Sequence, residues 1–116
     1  MELVALLSTG EGTWAQVSGL IKQGDWDKII LVGESYTEKF RADKPAEFVF
    51  ADFSQSIISI KEEIMGKIKE KISGTEVALS IASGTGKEHM ALISALLCLP
   101  VGVRFMVLTR DGIKEI

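Results

Sequence analysis

The sequence is poor in cysteine and histidine, with one residue of each among its 116. The single cysteine, Cys98, excludes a disulfide within the chain and fits a reducing cytoplasm. Because it lies in an apolar run at residues 96–99, we expect it to be a buried small hydrophobe. One cysteine and one histidine supply no CxxC or HxxxH pair, so the sequence predicts no metal site.

The chain also lacks an excess of positive charge and a long uninterrupted apolar run. Its net charge of −3 argues against a sheet-wide basic surface for duplex nucleic acid. The longest apolar stretch, residues 90–103, contains Ser94, Pro100 and Gly102 and is too short and interrupted for a membrane span. The first residues lack the pattern of a signal peptide, so we expect a cytoplasmic protein. Hydrophobic residues make up 47% of the chain, which excludes disorder.

What is present is an alternation of apolar runs and helical patterns. Short apolar runs predict strands at residues 3–7, 28–32, 47–51, 76–82 and 103–109. A turn at residues 110–112 leads into a final strand. Residues 34–41 read as a loop or a short helix. The alternation predicts one α/β domain over residues 1–116, with a Rossmann-like three-layer fold. Its mainly parallel sheet is expected to have the order 3-2-1-4-5 and to end in a C-terminal hairpin.

Three helices are expected from the spacing of apolar side chains. The first begins near Thr13, with Gln16 three residues later in a capping-box pattern. The second begins from a cap at Ser54 or Ser56 and runs to Ile72, with isoleucines along one stripe. The third covers residues 86–99.

The third predicted helix is apolar on nearly all sides. Thr85 and Glu88 form a capping-box pattern at its start. Because so few of its positions are polar, we expect it to be buried between the sheet and another surface, for which a partner subunit is suited.

Two glycine-bearing turns, residues 8–13 and 83–87, follow the first and fourth predicted strands and open helices. Such a turn presents unpaired backbone N–H groups and the positive end of a helix dipole, which suits an anion. In the order 3-2-1-4-5 these strands are neighbours, and their carboxyl ends flank the topological switch point. With Lys87 ending the second turn, the sequence predicts a divided site for a phosphate-bearing ligand.

One interpretation of the first turn is a dinucleotide site. Gly10, Gly12 and Ala15 fit the GxGxxG/A fingerprint, and Glu34 falls near the end of strand 2, where an acid would hold a ribose. The match is weakened because a Ser-Thr pair delays the first glycine and no substrate domain follows. A P-loop is disfavoured, because an isoleucine holds the position of its first glycine and a glutamate replaces the magnesium-binding Ser/Thr.

Four segments carry a resemblance to a known family. They are Leu-Leu-Ser-Thr-Gly at residues 6–10, Asp-Trp-Asp-Lys-Ile-Ile-Leu-Val at 25–32, Ile-Ala-Ser-Gly-Thr-Gly-Lys-Glu-His-Met at 81–90, and the strand-turn-strand at 105–116. Together they resemble the CARF domain, the CRISPR-associated Rossmann fold that senses cyclic oligoadenylates. The order Gly-Thr-Gly-Lys stands where that family has a motif of the Gly-Gly-Thr-Lys type.

The resemblance implies a homodimer that binds a cyclic oligoadenylate across its two-fold interface, in CRISPR antiviral defence and without a cofactor. No effector segment follows Ile116, so the implied protein is a ligand sink, a regulator acting through a partner, or a ring nuclease. In the last case the ribose 2′-OH attacks the adjacent phosphate without a metal ion.

The resemblance also implies roles for individual residues. Ser8 or Thr9 would position the reacting phosphate, Lys87 would stabilise its charge, and His89 would assist proton transfer. The implied ligand-binding positions are Gly10, Gly12, Thr13, Trp14, Ser83, Gly84, Thr85 and Gly86.

Structural explanations compete with these roles. Helical spacing favours core packing for Trp14, and Thr13 and Thr85 are sufficiently explained as caps. His89 and Lys87 are also compatible with ordinary surface positions. A third class of function, a nucleotide-independent dimeric interaction module, is suggested by the apolar third helix.

Overall fold

A computed structural model describes residues 1–9 and 13–116. Its single sheet has the strand order β3-β2-β1-β4-β5-β6. The strands are β1 (Glu2–Leu6), β2 (Ile29–Gly33), β3 (Glu47–Phe50), β4 (Glu76–Ser80), β5 (Gly102–Thr109) and β6 (Gly112–Glu115). All neighbouring pairs are parallel except the β5–β6 hairpin. The predicted α/β class, the 3-2-1-4-5 order and the terminal hairpin are confirmed.

The helices are α1 (Trp14–Gln23), α2 (Ile57–Ile68) and α3 (Gly86–Leu97), and a 3₁₀ helix covers Ser35–Lys39. The prediction that the second helix reaches Ile72 is wrong. The chain tightens after Ile68, because the N–H groups of Lys71 and Ile72 both donate to the Ile68 carbonyl. This mixture of spacings ends the regular helix.

The helices differ in whether a side chain caps their first turn. The Ser56 hydroxyl accepts from the Ser59 N–H at 3.2 Å, and Thr85 and Glu88 form the predicted capping box. The capping box predicted at Thr13 is wrong, since its side chain makes no cap hydrogen bond. Thr13 has a helical backbone (φ −82°, ψ −13°), whereas a capping residue is normally extended, as Ser56 and Thr85 are.

Each face of the sheet carries its own core. Along β1, Val4 and Leu6 face α2 and α3, while Leu3 and Ala5 face α1. All of these side chains are fully buried. This explains why β1 reads as a continuous apolar run, because a central parallel strand is covered on both sides.

The outer side of α3 is uncovered in the single chain. Its core positions are Ala91, Leu92, Ala95 and Leu96. Met90 and Leu97 are 59% and 67% exposed in the single chain. Cys98 is exposed, so the prediction that it is buried is wrong. It caps the C-terminus of α3 and lies outside the buried stripe of the helix.

Among the described residues there is no helix that combines the length and the apolar character needed to cross a membrane.

Candidate functional site

The carboxyl edge of the sheet gathers the loops that follow β1, β2 and β4. The central strand β1 pairs with β2 on one side and with β4 on the other. From β2 the chain continues outward to β3, and from β4 it continues outward to β5 on the other side. The gap between β1 and β4 is therefore the topological switch point. The two predicted turns therefore emerge at one place. Gly10 and Gly12 of the first turn lie outside the described residues.

The turn between β4 and α3 requires glycine at position 84. Gly84 has φ +104°, a backbone conformation that side chains disfavour. A Cβ there would lie 2.5 Å from Leu6 Cδ2 and 3.0 Å from Glu88 Oε1. The chain therefore turns sharply against β1, and this close approach brings the start of α3 to the switch point.

The first turn of α3 has two backbone N–H groups left over. The Glu88 carboxylate accepts from the Thr85 N–H at 2.9 Å, and the Thr85 hydroxyl accepts from the Glu88 N–H at 3.4 Å. The N–H groups of Gly86 and Lys87 have no partner within the part of the chain that the structure describes. A Cβ on Gly86 would meet nothing within 4 Å. Two unpaired N–H groups next to open space at Gly86 are what an anion site at a helix start requires.

A hydrogen-bonded chain connects the two turns. The Ser8 N–H donates to Ser83 Oγ at 3.0 Å, and the Trp14 indole N–H donates to the Ser8 carbonyl at 2.9 Å. His89 Nε2 lies 2.8 Å from the Ser83 carbonyl. Since a carbonyl only accepts, Nε2 must carry the proton, which leaves Nδ1 as the basic nitrogen of the neutral ring. Four of the predicted site residues thus form one network.

The members of this network differ in accessibility. Ser8 and Ser83 are buried, at 2% and 0% exposure, and the hydrogen bond from the Ser8 N–H to the Ser83 hydroxyl holds the two turns together. His89 is half-buried and Thr9 is exposed.

Trp14 takes part in packing as well as in the network. Its ring meets Phe40 edge-on, with 5.8 Å between the ring centroids. Lys39 Nζ lies over the same ring, 5.7 Å from its centroid. The indole is thus held between the α1 core and a cation next to the carboxyl edge.

Lys87 is directed toward the loop between β3 and α2. Its Nζ donates to the Phe53 carbonyl at 3.3 Å. Hydrogen bonds from the Ser54 side chain and backbone lower the pKa of nearby Asp52, and the charge of Lys87 lowers it further. Lys87 is exposed and brings a positive charge to the α2 side of the α3 start.

The site contains a residue that the sequence analysis missed. Tyr36, in the 3₁₀ helix after β2, is 38% exposed. Burial raises the pKa of its phenol, a hydrogen bond with the Ser8 side chain opposes the rise, and Glu34 and Glu88 raise it further. Tyr36 therefore lies beside Ser8 and near two carboxylates. No periodic pattern in residues 34–41 singled it out.

Glu34 lies directly after β2, as the dinucleotide interpretation requires. Its Oε2 accepts from the Phe53 N–H at 3.3 Å. Glu34 and Lys87 thus bind the same loop residue from two directions. These two contacts hold the loop after β3 at the carboxyl edge of the sheet.

A cavity of about 590 Å³ lies at the opposite, amino edge of the sheet, beside Glu2 and Lys28. The Glu2 carboxylate is 4% exposed and accepts from the N–H groups of Ser73 (2.9 Å) and Gly74 (2.7 Å). Lys28 Nζ lies 3.9 Å from it. Glu2 therefore fastens the loop before β4.

Among residues 1–9 and 13–116, no three or more His, Cys, Asp or Glu side chains are grouped so that they could hold a metal ion. The sequence matches no protein-family model and no curated protein.

Proposed function

We propose that this protein binds a cyclic oligoadenylate, with a phosphate held at the start of α3 beside the β1–β4 switch point. One observation carries the proposal: the N–H groups of Gly86 and Lys87 have no partner among the described residues, and they lie at an open helix start next to a turn fixed by Gly84. A phosphate at this point would accept both hydrogen bonds and meet the positive end of the helix dipole.

The resemblance of residues 81–90 and three other segments to the CARF domain supports the choice of ligand. Within the proposal the ligand is a second messenger of CRISPR antiviral defence. A ring of phosphates with two-fold symmetry suits a symmetric dimer that presents each turn twice.

The homodimer in this proposal is supported by the outer side of α3. Met90 and Leu97 are largely exposed there, and from residue 90 to the end of the helix there is no charged side chain. An uncharged, exposed helix face of this kind is typical of a protein interface.

Ring opening is the stronger form of the proposal. The ribose 2′-oxygen would attack the adjacent phosphorus, and the bond from phosphorus to the 5′-oxygen would break. The products are a 2′,3′-cyclic phosphate and a 5′-hydroxyl, with the proton passing from the 2′-OH to the 5′-oxygen. His89 Nδ1 is the available base in the network, and the Gly86 and Lys87 N–H groups would stabilise the added charge.

The NAD-type alternative has weaker support. Glu34 follows β2 at the expected place, but one of its oxygens accepts the Phe53 N–H and serves the loop. Gly10 and Gly12, which carry the fingerprint, lie outside the described residues. The interaction-module alternative predicts a dimer with no affinity for anions.

A single substitution tests the phosphate site. Gly86→Pro removes one free N–H at the first helical position, where proline is tolerated, and the extended backbone of Thr85 suits a following proline. We expect it to weaken the binding of cyclic tetra-adenylate about tenfold or more, because a hydrogen bond to a charged group is lost. Calorimetric titration in EDTA measures the affinity, and chromatography of the same samples detects linear products.

Gly86→Ala is the matched control, because it keeps the N–H and its Cβ meets open space. Equal binding by both variants would contradict the proposed phosphate site. Absence of binding by the unmodified protein would remove the proposed ligand altogether. Binding without products would exclude the ring-opening form.

A further inference from the structure

An apolar cavity of about 390 Å³ opens where β4 ends and β5 continues. The β4–β5 pairing stops at Leu79 and Phe105, although β5 runs on to Thr109. After Leu79 the segment that follows β4 no longer pairs with β5, which leaves a gap beside β5. The lining residues are Leu79, Ile81, Ala82, Phe105, Met106, Val107 and Ile116.

The open edge of β5 carries backbone polar groups at this cavity and directly beside it, since Met106 lines the cavity and Leu108 lies two positions further along the strand. The Gly102 N–H donates to the Thr75 carbonyl on the β4 side, and the Phe105 carbonyl accepts from Ile116 on the β6 side. Because backbone groups alternate along a strand, those of Met106 and Leu108 face the β4 side. Because the β4–β5 ladder ends at Phe105 and no hydrogen bond outside the ladders reaches the Met106 carbonyl or the Leu108 N–H, neither has a partner among the described residues. The edge thus offers an acceptor and a donor side by side.

The cavity and the proposed phosphate site are close along the chain. Ala82, in its wall, directly precedes Ser83 and the Gly84 turn. Gly86 lies four positions further along the chain, which limits the Cα–Cα distance to at most about 14 Å. A ligand could therefore reach both places.

We propose that this cavity holds an adenine base of the bound ligand. This inference rests on the proposed function and adds to it the place where a base is recognised. The flat apolar ring would be buried among aliphatic side chains and Phe105. The exocyclic amine would donate to the Met106 carbonyl, and ring nitrogen N1 would accept from the Leu108 N–H. Guanine presents the reverse order of donor and acceptor on this edge, so the site selects adenine.

Methyl NMR with adenosine tests the base pocket without a phosphate. We expect adenosine to shift the methyl signals of Ile81, Val107 and Ile116, which line the cavity, and to leave those of Ile60 and Ile64 on α2 unchanged. Purine riboside, which lacks the amine, and 1-deazaadenosine, which lacks N1, should each bind about tenfold more weakly, because one backbone group loses its partner.

Ala82→Leu should fill the cavity and abolish these shifts, whereas Ala82→Ser leaves its volume nearly unchanged and is the control. Ala82 is exposed, so the larger side chain does not disturb the core. Equal binding of adenosine, guanosine and both analogues would overturn the proposal, as would adenosine shifts confined to other methyls. Cavity signals that move on dilution but not with adenosine would assign the groove to a second copy of the chain and overturn it too.

The two proposals fail in distinguishable ways. If cyclic tetra-adenylate does not bind but adenosine shifts the cavity methyls, the proposed ligand is wrong and the base pocket stands. If its binding is weakened by Gly86→Pro but unchanged by Ala82→Leu, the phosphate site stands and the base pocket is wrong.

Discussion

At the scale of single residues, two buried serines near the end of β4 have opposite surroundings. Ser80 is 1% exposed, and its hydroxyl has no hydrogen-bond partner within the described part of the chain. Ser83 is fully buried, and its hydroxyl accepts the Ser8 N–H. The same substitution at these positions should therefore have opposite effects on stability.

We expect Ser80→Ala to raise the free energy of unfolding by about 1 kcal/mol, because it removes a buried polar group that makes no hydrogen bond. Ser83→Ala should lower it by about 1–3 kcal/mol, since the buried Ser8 N–H loses its acceptor. Urea unfolding followed by circular dichroism measures both values. A destabilised Ser80→Ala protein would show that the Ser80 hydroxyl has a partner.

At the scale of elements, α2 is fixed to the loop before it through Glu63. The carboxylate of Glu63 accepts from the Asp52 N–H (3.1 Å), the Gln55 amide (2.7 Å) and Lys67 Nζ (2.9 Å). The Lys67 hydrogen bond is the largest of the effects that hold the Glu63 pKa below its ordinary value of 4.5. The ionised form is therefore the one that the fold stabilises.

This arrangement predicts a pH dependence. Since the folded-state pKa of Glu63 is below the unfolded value, its contribution to stability is present above about pH 4.5 and is lost as the pH falls through the folded pKa. Glu63→Gln should therefore reduce the loss of unfolding free energy in acid, measured by urea unfolding between about pH 6 and pH 3. Glu62→Gln, at the exposed neighbouring position, is the control. An unchanged acid slope in Glu63→Gln would contradict this role.

At the scale of the whole molecule, the proposed dimer can be tested with two surface residues of similar exposure. Leu97 on α3 and Ile58 on α2 are 67% and 68% exposed. We expect Leu97→Glu to shift the protein to monomer in sedimentation velocity, because a charge buried in an apolar interface has no partner. Ile58→Glu should leave the association unchanged. A protein that is monomeric without substitution, or equal behaviour of both variants, would contradict an interface on α3.

The sheet was predictable because β2, and β1 apart from Glu2 at its start, are apolar runs, as buried central parallel strands are. The Gly84 turn and the Thr85–Glu88 cap were predictable because both are local. The positions of Lys87 and Tyr36 were not, because their partners come from other loops. Lys87 is directed by the Phe53 carbonyl, and Tyr36 lies beside Ser8 only once β1 and β2 have paired.

The hydrogen bond between Ser8 and Ser83 joins residues 75 positions apart in the chain. Contacts of such long sequence separation form late, because the entropy of closing the intervening loop is lost before they add stability. During synthesis, β1 must wait for β4 to emerge before the two turns can meet. Ligand binding at this edge would therefore report the completed fold, and a partly synthesised or partly unfolded chain would not compete for the ligand.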